Sequence, residues 1–234
     1  INIMLITDGQ TVIIFKNDIN KMLIRKKETK MKRKELQEIT EALFLIDMNN
    51  GFCEEGSLAD SSIKKIVPNI KEIIKQILNK GEGFFVVNDS HTNKSTELKR
   101  FPEHCLKDSK ESKTIKELAI FEDYATAKFY KNSTCALFAP GLMDALLKMN
   151  QLKKVIIAGC CTDICIMNFA IALRNFFDEL NLDIEIIVPT YAVETYHIPV
   201  IHDREEKNKQ ALEWMENSGI TLKRTKKEGI NNEY

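Results

Sequence analysis

The chain has no surplus of charge of either sign: 34 lysines and arginines face 34 aspartates and glutamates. That balance removes the basic excess by which proteins gather on nucleic acid or anionic membrane, and neither partner is expected. No apolar run is long enough to span a bilayer. The first residues lack the basic start and unbroken apolar core of a secretion signal. The six cysteines, with Cys160 and Cys161 adjacent, are not spaced as a disulfide framework. They are expected to be reduced thiols in a cytoplasmic protein. Internal repeats and low-complexity segments are absent. Histidine is scarce, with four in the chain, and two of them fall in one connection.

What is present is a length of 234 residues, which suits one α/β domain better than two. Residues 1–40 read as an N-terminal extension. Ile3 to Ile6 and Thr11 to Phe15 suggest two short strands around Asp8-Gly9, and the lysine-rich Lys21–Lys34 a solvated helix or linker. The chain starts with Ile, which makes Met22 and Met31 candidate natural starts. Residues 41–234 are regular. The pattern predicts a strand over 42–46, a helix over 61–80 closed by Gly81, and strands over 84–87 and 125–130. A short helix over 142–149 follows, then a central strand from Lys154 and a helix after Cys165. A strand over 184–188, a helix over 200–217 and a last strand from Ile220 complete the chain. Strands alternating with helices argue a parallel sheet with right-handed crossovers. The polar connection over 90–124 is too long for a plain strand–helix loop, which marks it for function.

The most informative stretch is Lys154-Lys-Val-Ile-Ile-Ala-Gly159-Cys-Cys-Thr-Asp-Ile-Cys165. A β-branched apolar run ends at Gly159, and Thr162 and Asp163 are good N-cap residues. Ile166, Phe169, Ala170, Leu173 and Phe177 then recur at helical spacing. Cys165 is thus expected in the first turn of a helix at the carboxyl end of a parallel strand, where the helix dipole favours a thiolate. The alternative is a small buried hydrophobe, the commonest fate of a free cysteine.

Asp47, Asp89, Lys131 and Cys165 each fall where a strand ends, and in a parallel sheet those ends share one edge. A thiol, a carboxylate and an ammonium suit acyl transfer: the cysteine attacks a carbonyl, the acid takes its proton, and the lysine steadies the charge. Lys128 lies three residues from Lys131, so on a strand it faces the other side and is expected to be solvated. His197 and His202 are expected at the surface. In Asp89-Ser-His91, alternation projects both side chains to one face, with Glu97 and His104 downstream. One carboxylate with two imidazoles suits zinc, iron or manganese, while two loop histidines and two acids also suit a solvated surface.

Five segments carry a resemblance: Leu43-Phe-Leu-Ile-Asp47-Met-Asn-Asn-Gly-Phe52, Asn88-Asp89-Ser-His91, Phe101-Pro-Glu-His104-Cys105, Phe129-Tyr-Lys131 and Gly159-Cys-Cys-Thr-Asp-Ile-Cys165. Together they resemble the isochorismatase-like cysteine hydrolases and, within them, the nicotinamidases. The resemblance implies a three-layer, Rossmann-like α/β fold with a mostly parallel central sheet flanked by helices. It implies a triad of Asp47 as base, Lys131 and Cys165 as nucleophile. A cis peptide at Cys160–Cys161 is implied, with the backbone N–H groups of Cys161 and Cys165 as oxyanion hole. It implies a divalent ion, zinc first and iron or manganese next, on Asp89, His91 and His104, with Glu97 matching a fourth ligand of some members. In nicotinamidases that ion binds the pyridine nitrogen, and Phe52 and Phe101 match the aromatic positions around the ring. The implied reaction, part of NAD salvage, takes nicotinamide to nicotinate and ammonia through a thioester. A different small amide or ureido substrate, or a catalytically silent binding relative, are the other readings, and self-association into a homo-oligomer is left open. The chain departs from the family pattern at Ser90, where tryptophan is common, and after Cys105, where a glycine-containing turn is usual.

Overall fold

The computed structural model describes residues 34–226, so the two strands expected in the first 15 residues lie outside the described residues. Among the described residues seven parallel strands form one sheet: β1 Glu41–Ile46, β2 Gly83–Asp89, β3 Ala127–Lys131, β4 Lys154–Cys160, β5 Glu185–Pro189, β6 Val193–Glu194 and β7 Thr221–Lys223. Their order is β3-β2-β1-β4-β5-β7, and β6 pairs with the end of β4. The helices are α1 Asn50–Cys53, α2 Val67–Asn79, α3 Lys116–Ala119, α4 Leu142–Lys148, α5 Met167–Glu179 and α6 Arg204–Asn217. Among the described residues no helix is long and apolar enough to cross a membrane.

The unbroken apolar run of β1 has a direct cause: both of its faces are covered. Ala42, Phe44 and Ile46 enter one core with Leu142 and Leu146 of α4 and Phe169, Leu173 and Phe177 of α5. The alternate residues Leu43 and Leu45 enter a second core against Ile70, Ile73, Ile74 and Ile77 of α2. The sheet is therefore the middle of three layers. At the edge, β3 keeps Phe129 and Lys131 inside and turns Lys128 and Tyr130 out to solvent. Charged outward residues suit an edge strand, whose open hydrogen-bonding groups invite further pairing.

Three of the departures from the expected elements have a clear local reason. The helix expected over 61–80 begins as a 3-10 helix, Ser61–Ile66, and becomes α-helical at Val67. Pro68 in the first α-turn has no N–H to give a preceding turn, so the two helical forms meet there. The last helix starts at Arg204 rather than residue 200, because the Asp203 carboxylate caps it by accepting from the Glu206 N–H at 2.9 Å. Thr162 and Asp163 do not act as N-caps: residues 162–166 form a π-turn entered from Cys161, without a side-chain cap.

Two contacts lock the sheet near its ends. At Gly159, φ is +126°, and a Cβ there would lie 1.9 Å from the Ile46 carbonyl oxygen. Glu82 ties the starts of β1 and β2 together, accepting from the Thr40 hydroxyl at 2.7 Å and from the N–H groups of Thr40 and Glu41 at 3.0 and 3.1 Å. Lys34 also pairs with it. Burial works against the Glu82 charge, but Lys34 and these donors outweigh it and hold the carboxyl below its ordinary 4.5.

Gly159→Ala is expected to cost more than about 4 kcal/mol, because backbone on both sides would have to part; a urea midpoint within error of wild type would refute this. Glu82 binds protons more weakly folded than unfolded, so its contribution is full above pH 4.5 and fades as pH falls below it. Glu82→Gln should therefore lower stability by about 1–2 kcal/mol at neutral pH and by less in acid, which denaturation at two pH values reads out.

Candidate active site

The strand order β3-β2-β1-β4 places Lys131, Asp89, Asp47 and the turn after β4 in a row along the carboxyl edge of the sheet. Lys131 and Asp89 are register partners on adjacent strands. Asp47 follows the last residue of β1 with φ +50°, a left-handed conformation that aspartate tolerates better than most residues. The Cys165 thiol comes from the π-turn that opens α5.

These side chains converge out of water. The Lys131 ammonium lies 2.8 Å from Asp47 Oδ2, pairs with Asp89 Oδ1, and donates to Cys165 Sγ at 3.5 Å. One oxygen each of Asp47 and Asp89 lies within 4.8 Å of the thiol sulfur. Burial, then repulsion from Asp89, pushes the Asp47 carboxyl up to about 7 against the pull of Lys131. Burial opposes the charge on Lys131, but Asp47, Asp89 and Cys165 outweigh it and raise the ammonium well above 10.5. Burial also raises the Cys165 thiol, with Lys131 opposing. Lys128, by contrast, is half exposed and pairs with Glu122 at 3.1 Å.

Beside this group, Asp89, His91 and His104 place three donor atoms within 4.8 Å of one another. Asp89 Oδ2 lies 3.5 Å from His91 Nε2 and 3.6 Å from His104 Nε2. His104 Nδ1 donates to the Pro102 carbonyl at 2.7 Å, which leaves the Nε2 lone pair aimed at Asp89. His91 Nδ1 lies 3.4 Å from Asn132 Oδ1, and its buried Nε2 has no hydrogen-bond partner. Two imidazole lone pairs aimed at a buried carboxylate repel unless a cation or protons lie between them, and an orphaned ring nitrogen asks for the same partner. The donor set thus fits a divalent ion. Glu97 is also buried, with Oε1 3.8 Å from His91 Nε2.

Both halves open into one small cleft, lined by Asp89, Glu97, His104, Cys161 and Cys165 together with Phe52, Leu58, Phe101, Thr134, Ile164 and Tyr196. Phe52 and Phe101 flank His104, with ring centroids 5.5 and 6.4 Å from the imidazole. The Cys160–Cys161 peptide is cis. The departure after Cys105 is compensated locally. Glu111 accepts the Cys105 N–H at 3.0 Å, and Cys105 and Asp108 themselves adopt positive φ where a glycine would be usual.

Sequence reasoning missed part of the site. Asn132, which holds His91, and Tyr196, which lines the cleft, carry no motif. His197 is exposed as expected, but His202 is buried, with Nε2 2.8 Å from Asp163 Oδ2. The correction has a simple cause: Asp163 caps no helix and is free to pair across the fold.

Titrating the metal-free protein with zinc should give one saturable site per chain, and His104→Ala should weaken it about 10- to 100-fold. Calorimetry checks this, and equal affinity in the variant would remove His104 from the ligand set.

Comparison with known proteins agrees with this fold. The isochorismatase domain model matches residues 41–226. Nicotinamidase 1 of Arabidopsis thaliana is 25% identical over 186 residues, covering 72% of this chain and 75% of the relative. A second A. thaliana protein, named a probable inactive nicotinamidase, is 27% identical over 179 residues, covering 71% and 88%. The pyrazinamidase of Pyrococcus horikoshii, solved in complex with zinc, superposes with a TM-score of 0.60 at 23% identity over 78% of this chain and 97% of its own. With its family model spanning the whole regular part of the molecule, this chain belongs to the isochorismatase domain family.

Proposed function

We propose that the protein is a metal-assisted cysteine amidohydrolase that converts nicotinamide to nicotinate and ammonia. The observation that carries this reading is Lys131, within 2.8 Å of Asp47 and 3.5 Å of the Cys165 sulfur in a dry pocket beside three convergent metal donors.

The substrate ring enters between Phe52 and Phe101. Asp89, His91 and His104, with Glu97 as a candidate fourth ligand, would hold a divalent ion, which would supply a Lewis acid toward the ring nitrogen and favour an amide placed over Cys165. As Cys165 Sγ attacks the amide carbon, Asp47 takes the thiol proton and Lys131 offsets the negative charge. The N–H groups of Cys161 and Cys165 hold the developing oxyanion. Collapse expels the amine, which receives the proton from Asp47 and leaves as ammonia. Asp47 then deprotonates a water that attacks the thioester, the C–S bond breaks, the sulfur takes the proton back from Asp47, and nicotinate departs. The weak acidity of the resting thiol suits this sequence, because thiolate forms only as the proton passes to Asp47 during attack.

A silent binding relative is the competing reading, favoured by the 27% identity to a protein named as inactive. Ammonia release from nicotinamide, with and without chelator and in Cys165→Ala, separates the two. Wild type should turn over and both controls should lose at least about a thousandfold. Turnover of other small amides but not nicotinamide would keep the triad and change the substrate.

Asp47 must be ionised to accept the proton, and burial raises its carboxyl above the ordinary 3.8, so the active base is lost as pH falls through that raised value. On the acid side kcat/KM should drop about tenfold per pH unit. Asp47→Asn should erase this limb together with most of the rate, and a limb that persists in the variant would assign it elsewhere.

A further inference from the structure

The nucleophile turn is held from outside the triad. Asp163 precedes Cys165 by two residues, and both of its carboxylate oxygens are taken by the loop between β6 and α6. Oδ1 accepts from the Thr195 hydroxyl at 2.6 Å, and Oδ2 from His202 Nε2 at 2.8 Å. The other ring nitrogen of His202 donates to the Tyr196 carbonyl at 3.0 Å. The imidazole also stacks on the Tyr196 ring, with centroids 4.1 Å apart and planes 21° from parallel. Tyr196 in turn lines the cleft. One buried imidazole therefore touches both the turn that carries the thiol and the wall that the substrate meets. No side-chain cap closes that turn, and these cross-loop bonds reach it through Asp163.

We propose that Asp163 and His202 form a positioning pair for the amidohydrolase reaction, a reading that rests on the function proposed above. Through the hydrogen bond, His202 sets the Asp163 turn and with it the approach of Cys165 to the amide carbon. Through the stack, it sets Tyr196 as the wall that fixes the substrate ring. The first role is felt when sulfur attacks, and the second when substrate binds. The two roles therefore separate in kcat and KM.

Two substitutions divide them. His202→Gln keeps an N–H for Asp163 and gives up the stack, whereas His202→Phe keeps the stack and gives up both hydrogen bonds. His202→Gln should raise KM for nicotinamide roughly tenfold with kcat within about twofold of wild type. His202→Phe should lower kcat roughly tenfold or more with KM within about twofold. Thr195→Val removes the second bond to Asp163 without touching the stack, and should follow His202→Phe with a smaller loss. It serves as the test if His202→Phe does not fold. Parallel changes in kcat and KM across the variants, or wild-type constants in all of them, overturn the proposal. If wild type hydrolyses no amide, the function proposed above fails instead. The pair is then judged by alkylation of Cys165 with iodoacetamide, corrected with Cys165→Ala for the other thiols. The rate should shift at least about threefold in His202→Phe and stay near wild type in His202→Gln. Equal rates in all three proteins overturn it.

Discussion

An ammonium with no access to water sits at the centre of this molecule. Lys131 is buried to 1% of its surface, and an isolated charge there would cost several kcal/mol. It is tolerated because two carboxylates and a thiol surround it, and each carboxylate in turn depends on the lysine. Removing the cation would leave Asp47 and Asp89 buried and repelling each other. The strand order β3-β2-β1-β4 satisfies this constraint by setting the ends of three strands side by side and bringing the turn after the fourth over them.

Asp89 joins the two halves of the site. One of its oxygens pairs with Lys131, and the other faces His91 and His104. A cation in the histidine cage would draw charge from that carboxylate and relieve its repulsion of Asp47. Charge in the histidine cage and the basicity of Asp47 are therefore electrostatically linked through a single side chain.

The positions of loops and helices follow from the same edge. The sheet and its two cores hold Asp47, Asp89 and Lys131 on rigid strands, while the long connection after β2 brings His104, Glu97 and Phe101 to the cleft. The loop after β6 closes the other side with Tyr196. Rigid strands thus carry the buried charges, and loops carry most of the groups that line the cleft.

Much of this was readable along the chain. Alternating strands and helices, the four polar residues at strand ends, and the Asp-x-His and Gly-x-x-Thr-Asp-x-Cys spacings are local patterns, and local patterns survive in one dimension. The split of the 61–80 helix at Pro68 was readable in principle from the missing N–H. Other features had no local signal. Tyr196 and Asn132 act by where they end up, and His202 is indistinguishable from exposed His197 until Asp163 is seen across from it. The chain by itself determined which groups stand at the ends of strands, because strand periodicity and termination are set by neighbouring residues. Only the tertiary structure decided which histidine is buried, which tyrosine walls the cleft and how one lysine serves two acids and a thiol, because burial and pairing arise between residues that are distant in sequence.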